Sequence, residues 1–311
     1  MNTLIENLKD ILTNDTLSVV IYFKLKNGEV KLADINKDAL PRILTLYKDK
    51  INKEIIDKED LELLNLSEVD ERKNVIYKYD FDKSREPFLS IEQVIEDSEI
   101  KTFSFSKDTL ENIDGIIAKI SNANHGIYLY TKFYPVNLMK PGRAVNLLPS
   151  DHRLVMFDGK LIQITGKYDI LRLNQEYYLK KYEMLERFYQ FNDVTKERAK
   201  SYFGEISKIK IIDNEDKLFL YIENNSSRAR KFIKVMSSSI VIKKKIPNEQ
   251  LISFVSTNPK LKDNIETNDD KTKFKLNTNK HCDFFIKLLD DDFLKSELTQ
   301  EQYEAIAKNN V

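Results

Sequence analysis

The chain of 311 residues has one cysteine, no tryptophan, three histidines, seven glycines and seven prolines. Each scarcity removes a class of protein. A lone Cys282 leaves no disulfide framework, so the small secreted scaffolds that depend on one are excluded. His125, His152 and His281 lie far apart and in no HxxxH or CxxC pattern, so no metal is expected. His281 and Cys282 are adjacent, and helical neighbours point about 100° apart rather than at one ion. Glycines stand only at 28, 115, 126, 142, 159, 166 and 204. No two of them share a phosphate-cradling loop, and no nucleotide cofactor is expected. Long apolar runs are also missing. The longest stretch without a charged side chain is Ile120–Thr131, 12 residues, where a membrane span needs roughly 20. Met1–Asp10 carries Glu6, Lys9 and Asp10, unlike a signal peptide, so a cytoplasmic location is expected.

What remains is a charged chain with enough apolar material for a core. Its hydrophobic fraction is 41%, and 50 Lys and Arg balance 50 Asp and Glu. The length suits one large domain or two ordinary ones. Charge is unevenly spread: residues 1–120 are net −7 and residues 121–311 net +7. One half can therefore face an anion that the other repels.

The spacing of Leu4, Ile5, Leu8, Ile11 and Leu12 predicts a helix over Thr3–Leu12. Leu17–Phe23, the turn Lys26-Asn27-Gly28-Glu29 and Val30–Ile35 predict a hairpin. Pro41 suits the first turn of a helix carrying Ile43, Leu44, Tyr47 and Ile51. Val75–Phe81 and Lys101–Ser106 alternate like strands, and Ser106–Ile120 reads as a helix with Leu110, Ile113, Ile117 and Ile120 buried. No acid occurs from Asn122 to Ser150, which places a domain transition near residue 121. Beyond it, Leu154–Ile164 reads as a hairpin tipped by Asp158-Gly159, Tyr168–Leu173 as a strand and Glu176–Phe191 as a helix. Val194–Ile206 and Ser226–Ser237 read as helices, Leu218–Ile222 as a strand and Leu251–Ser256 as a short helix. Asp269-Asp270 tips a hairpin whose second strand is Lys273–Leu276. Two helices close the chain, the last opened by a Thr299–Gln302 capping box. The expectation is an α+β fold: an N-terminal α+β domain, 1–120, for assembly or partner contact, and a C-terminal α+β domain of hairpins and amphipathic helices, 121–311.

The strongest electrostatic feature is Asn224–Ile246. It holds Arg228, Arg230, Lys231, Lys234, Lys243, Lys244 and Lys245, with no acid between Glu223 and Glu249. Asn225 or Ser226 would cap a helix whose exposed amides favour phosphate. Arg228, Lys231 and Lys234 then fall near one face, with Phe232, Ile233 and Met236 inward. Lys243–Lys245 follow on an extended segment, Ile240–Ile246. Uncompensated cations read as a phosphate-backbone surface, giving affinity without sequence choice. The alternative is a solvated face of a lysine-rich protein. Tyr128–Arg143 interleaves Tyr130, Lys132, Phe133, Tyr134, Lys140 and Arg143, as base-stacking surfaces do, but a strand with one core face explains it better. Lys271, Lys273, Lys275 and Lys280 form a third strip, the first three on one strand face opposite Phe274 and Leu276.

Enzymatic readings have less behind them. A Mg²⁺-dependent nuclease needs spaced acids backed by a lysine. Asp158 with Lys160 and Asp216 with Lys217 come nearest, beside the clusters Asp80/Asp82, Asp213/Glu215/Asp216 and Asp290-Asp291-Asp292. Turn chemistry already accounts for Asp158-Gly159. Cys282, ahead of Phe284, Phe285, Leu288 and Leu289, reads as a small core residue, with a nucleophilic Cys–His pair as the alternative. No catalytic residue is assigned.

The C-terminal half resembles the KwaB family of the Kiwa antiphage system. The resemblance runs through Phe157-Asp158-Gly159-Lys160, Tyr168-Asp169-Ile170-Leu171 and Phe188-Tyr189-Gln190-Phe191, then Arg230-Lys231-Phe232-Ile233-Lys234 and Ser237-Ser238-Ser239-Ile240-Val241. It ends with Phe274-Lys275-Leu276, Phe285-Ile286-Lys287-Leu288-Leu289 and Leu298-Thr299 with Tyr303-Glu304-Ala305. It covers about residues 150–311 and is a pattern of core positions and caps. The resemblance implies a bacterial, cytoplasmic defence protein working with a small transmembrane partner, KwaA, and the reading adopted is of a homo-oligomer, dimer or higher, recruited by that partner to the inner face of the membrane. It further implies DNA binding that interferes with phage replication and expression, without turnover chemistry. A Mg²⁺-dependent nuclease and a protein–protein scaffold without DNA binding stand as the other readings.

Overall fold

The computed structural model of the chain describes residues 1–14, 16–69, 74–122, 125–139, 147–150, 153–295 and 302–304. It has the expected α+β class. Two compact units form, one of Met1–Leu63, Asn74–Lys78 and Asp82–Met184, the other of Leu64–Lys73, Tyr79–Phe81 and Leu185–Val311.

In the first unit, α1 (Asn2–Leu12), β1 (Ser18–Leu25), β2 (Val30–Leu32) and α2 (Leu40–Ile51) form where their patterns put them. Gly28 makes the first turn at a φ of +89°, which side chains rarely adopt. Then come β3 (Glu62–Asn65), β4 (Val75–Lys78), α3 (Phe88–Glu96), β5 (Ile113–Ser121), β6 (Gly126–Lys132), β7 (Leu138–Met139), β8 (Leu147–Ser150), β9 (Arg153–Met156), β10 (Leu161–Ile162), β11 (Ile170–Leu173) and β12 (Glu176–Leu179). Eight of these make one sheet, ordered β2-β1-β5-β6-β11-β12-β4-β3. The residue-121 transition expected from charge falls inside this unit, in the β5–β6 hairpin.

Residues opposite each other across strands share a face. One face presents Ile21, Phe23, Ile116, Ala118, Leu129 and Leu171 to Leu8 and Ile11 of α1 and Tyr47 and Ile51 of α2. The other carries ionised groups. The β1–β5 register shifts after Lys24, leaving Asp114 as a bulge residue. Its carboxylate takes Lys24 Nζ at 2.8 Å and also the Lys132 ammonium. Burial would raise the Asp114 carboxyl, but the hydrogen bonds from Lys132 and Lys24 outweigh it and hold the group below its usual range. Glu92 of α3 receives Nε and Nη2 of Arg172, each at 3.3 Å, and the Tyr177 hydroxyl.

Several expected elements differ. Ser106–Ile120 is not a helix but a short 3₁₀ turn, Leu110–Asn112, followed by β5. Ile113, Ile117 and Ile120 meet the helical spacing, yet the strand lies between two others and is buried on both faces, so alternation vanishes. Lys101–Ser106 contributes only an isolated bridge, Leu32 to Thr102. Leu154–Ile164 does not pair with itself: β9 pairs with β8 and β10 with β7. Glu176–Phe191 splits into β12 and a short α4 (Glu183–Phe188). Asn174 and Gln175, at φ +48° and +67°, make a two-residue turn that needs no glycine here.

The second unit is mainly helical: α5 (Phe191–Ile209), α6 (Glu215–Glu223), α7 (Ser226–Ser238), α8 (Ile240–Lys243), α9 (Asn248–Thr257), α10 (Pro259–Lys262) and α11 (Asn279–Leu289). Two small ribbons join β13 (Glu266–Thr267) to β14 (Phe274–Lys275) and β15 (Phe293–Lys295) to β16 (Gln302–Glu304). Leu218–Ile222, expected as a strand, lies in α6 and buries Leu218, Tyr221 and Ile222 at helical spacing behind an acidic first turn. Gln302–Glu304 is a strand where a closing helix is expected, and Thr299 lies outside the described residues. Asp80 enters this unit from the earlier chain: it accepts Ser67 N at 2.9 Å, and Arg198 donates to its carbonyl at 2.5 Å. Among the described residues no helix is long and apolar enough to cross a membrane.

Candidate nucleic-acid interface

α7 forms because Asn225 caps it, its side-chain oxygen accepting the amides of Ser227 at 2.9 Å and Arg228 at 3.1 Å. Ala229, Phe232, Ile233, Val235 and Met236 make the buried stripe. That stripe turns Arg228, Lys231 and Lys234 outward as half-buried side chains.

The cations named from sequence do not share one environment. Arg228 lies 4.1 Å above the Tyr221 ring centroid, a cation–π contact between α7 and α6. Lys231 meets Asp283 of α11 at 3.5 Å, and Lys287 reaches the same carboxylate at 3.0 Å. Arg230, two residues on and therefore on another side of the helix, is taken by Glu186. Lys243, Lys244 and Lys245 are exposed, but they end a helix rather than lying on an extended strand. Ser239 makes the difference, accepting Ile242 N at 3.1 Å and starting α8. The cations are thus partly compensated by Glu186 and Asp283, acids far away in sequence.

Packing of α6, α7 and α11 adds cations that sequence reasoning missed. Burial raises the Cys282 thiol to about 11, and Lys217 and Arg228 are both close enough to oppose that rise. Burial, followed by nearby Asp283, likewise raises the Tyr221 hydroxyl against Arg228. Lys231 and Lys287 therefore share the Asp283 carboxylate, with Arg228 over the neighbouring Tyr221 ring and Lys217 on the side of Cys282. The i, i+4 spacing of Asp283 and Lys287 on an amphipathic run was a readable signal, whereas Lys217 was hidden by the mistaken strand.

The remaining candidates take other roles. In the second basic stretch, Tyr128 and Tyr130 are buried in β6 and Lys132 is spent on Asp114; Lys140 and Arg143 lie outside the described residues. Lys271 and Lys275 are exposed opposite fully buried Phe274 and Leu276, with Lys273 half-buried. Lys160 pairs with Glu111 at 2.9 Å, away from nuclease chemistry with Asp158. Asp216 and Lys217 open α6. Cys282 is fully buried, His125 is exposed, His281 approaches the Lys275 carbonyl at 3.4 Å, and His152 lies outside the described residues. Among the described residues no three His, Cys, Asp or Glu side chains gather as a metal ion would require.

Comparison with known proteins now adds to this geometry. The Kiwa protein KwaB-like family matches residues 110–299, a span that contains the whole α6–α7–α11 surface. The curated Kiwa protein KwaB of Escherichia coli O55:H7 (strain RM12579 / EPEC) is 29% identical over 313 aligned positions, covering 98% of this chain and 97% of that protein. No solved structure matches.

Proposed function

The chain belongs to the Kiwa KwaB-like family, and from that premise we propose that it is an antiphage defence protein that binds DNA. The observation that supports the DNA reading is the run of cations over adjoining helices, Lys231 and Lys287 sharing the Asp283 carboxylate and Arg228 lying over Tyr221. The exposed run Lys243–Lys245 extends the available charge. Contacts of this kind neutralise phosphates and release counterions, so they set affinity without choosing a sequence. Interference with phage replication and expression then follows from occupancy of DNA rather than from bond cleavage. In this reading the protein works as an oligomer at the inner face of the membrane with the transmembrane partner KwaA, the partner that the family resemblance implies. The acidic residues 1–120 suit assembly or partner contact, because they repel the nucleic acid that the basic remainder attracts.

The test is titration of labelled duplex DNA at two salt concentrations, with and without Mg²⁺. Wild type is expected to bind with steep salt dependence and leave the DNA intact. A triple variant, Arg228→Gln, Lys231→Gln and Lys234→Gln, is expected to bind all sequences more weakly and to lower the salt slope by about 3. Neutral replacements are preferred because a new carboxylate at 231 would face Asp283. Absence of binding at low salt would overturn the reading in favour of a scaffold. Cleavage abolished by EDTA would replace it with a nuclease.

A further inference from the structure

Between β6 and β11 the chain leaves the large sheet as an arm, in which β7 pairs β10 and β8 pairs β9. Leu154, Val155 and Met156 of β9 are 63%, 38% and 63% exposed. Among the described residues β9 pairs with β8 alone. It has no lysine, proline or bulge along its other edge, and an apolar edge left so open invites another strand.

The two edges of the ribbon are unequal. Pro149 stands opposite Leu154, and a proline has no N–H to give a ladder. Antiparallel ladders alternate bonded pairs with pairs whose backbone groups point away. Pro149 and Leu154 form a pair of the second kind, and so do Leu147 and Met156 two positions on. Leu154 and Met156 therefore turn intact amides and carbonyls outward from β9, whereas Pro149 removes the matching donor from the far edge of β8.

From this one-sided edge we infer that β9 pairs with β9 of a second copy of the chain, antiparallel, about a two-fold axis through Val155. In that register Leu154 of each copy lies opposite Met156 of the other, and the outward backbone groups of both are bonded. Val155 faces its own counterpart on the axis. Arg153 falls opposite Phe157 and about 14 Å along the strand from the other Arg153, so like charges stay apart. The strand is thus self-complementary, which selects a second copy over a foreign strand. Because Pro149 blocks the far edge, pairing closes at two copies instead of growing into a filament. The inference rests on the oligomer reading given above and adds the surface that makes it.

Cysteine substitution in the full chain tests it, together with sedimentation. Facing residues of a non-bonded antiparallel pair have Cα atoms about 4.5 Å apart, within reach of a disulfide. Val155→Cys is therefore expected to give a covalent dimer on oxidation, seen on a non-reducing gel. Arg153→Cys, about 14 Å from its counterpart, is expected to give none. Wild type is expected to give none either, because Cys282 is fully buried. Leu154→Pro gives β9 the gap that β8 already has. It is expected to weaken self-association at least about tenfold with an unchanged thermal melt, since two symmetry-related bonds are lost. A wild-type chain that sediments as a monomer would overturn this inference and the oligomer reading together. A wild-type oligomer in which Val155→Cys fails to cross-link, Arg153→Cys cross-links equally well, or Leu154→Pro associates as before would overturn this inference alone.

Discussion

Asp114 joins two largely buried lysines. The Lys24 and Lys132 side chains are only 5% and 11% exposed, and both end on this carboxylate. Removing one partner of a buried ionic group is costly because the other charges stay behind. Asp114→Asn is therefore expected to lose about 3 kcal/mol in urea unfolding at neutral pH. The acid dependence has a definite sign. Because the folded carboxyl lies below its ordinary value of 3.8, its contribution is complete above that value and disappears as pH falls through the lower folded value. The stability gap between wild type and Asp114→Asn should thus close on acidification below about pH 4. Gly115, next to it, faces a different constraint: a Cβ there would lie 2.5 Å from the fully buried Tyr130 ring. Gly115→Ala is expected to cost about 2 kcal/mol by the same unfolding measurement, as overpacked cores do.

At the scale of elements, α7 depends on its N-cap more than on any surface cation. Asn225→Ala removes the acceptor of two otherwise unpaired amides and is expected to lower stability by about 1 kcal/mol. Replacing Lys243, Lys244 and Lys245 together by Gln should change stability by less than about 0.5 kcal/mol, since all three are exposed. Thermal melts of the two variants separate the roles: the cap holds the helix, while the lysines serve the surface. The β8–β9 ribbon behaves differently from both. Its paired residues Leu147 and Met156, with Pro149 and Leu154, share one face, and all four are exposed.

For the whole molecule, the two units are interleaved in sequence, and this restricts where the chain can be cut. β6 needs β5, which lies almost entirely before residue 121, and the second unit takes Ser67, Asp80 and Phe81 from the earlier chain. A fragment of residues 121–311 is therefore expected to lack a cooperative urea transition, although it contains most of the family-matched span. A sharp two-state transition by circular dichroism would contradict that dependence.

The helices α1, α2, α5, α7 and α11 and the first hairpin were legible from the chain, because each carries its own periodicity, cap or turn residue. So was the basic run around α7, and the C-terminal pattern of core positions was enough to point to the family. Local signals work where an element is amphipathic by itself, and they fail where burial is decided by neighbours. β5 looked helical since both its faces are covered, and α6 looked like a strand since its apolar run is short. The candidate site divides the same way. Arg228, Lys231 and Lys234 could be named from a helical repeat, but Asp283 and Lys287 meet Lys231 only when α7 and α11 pack. Glu186 withdraws Arg230 for the same reason. Sequence determined the charge this protein has to offer; tertiary packing decided which charges stand together, because ion pairs form by distance in space and not along the chain.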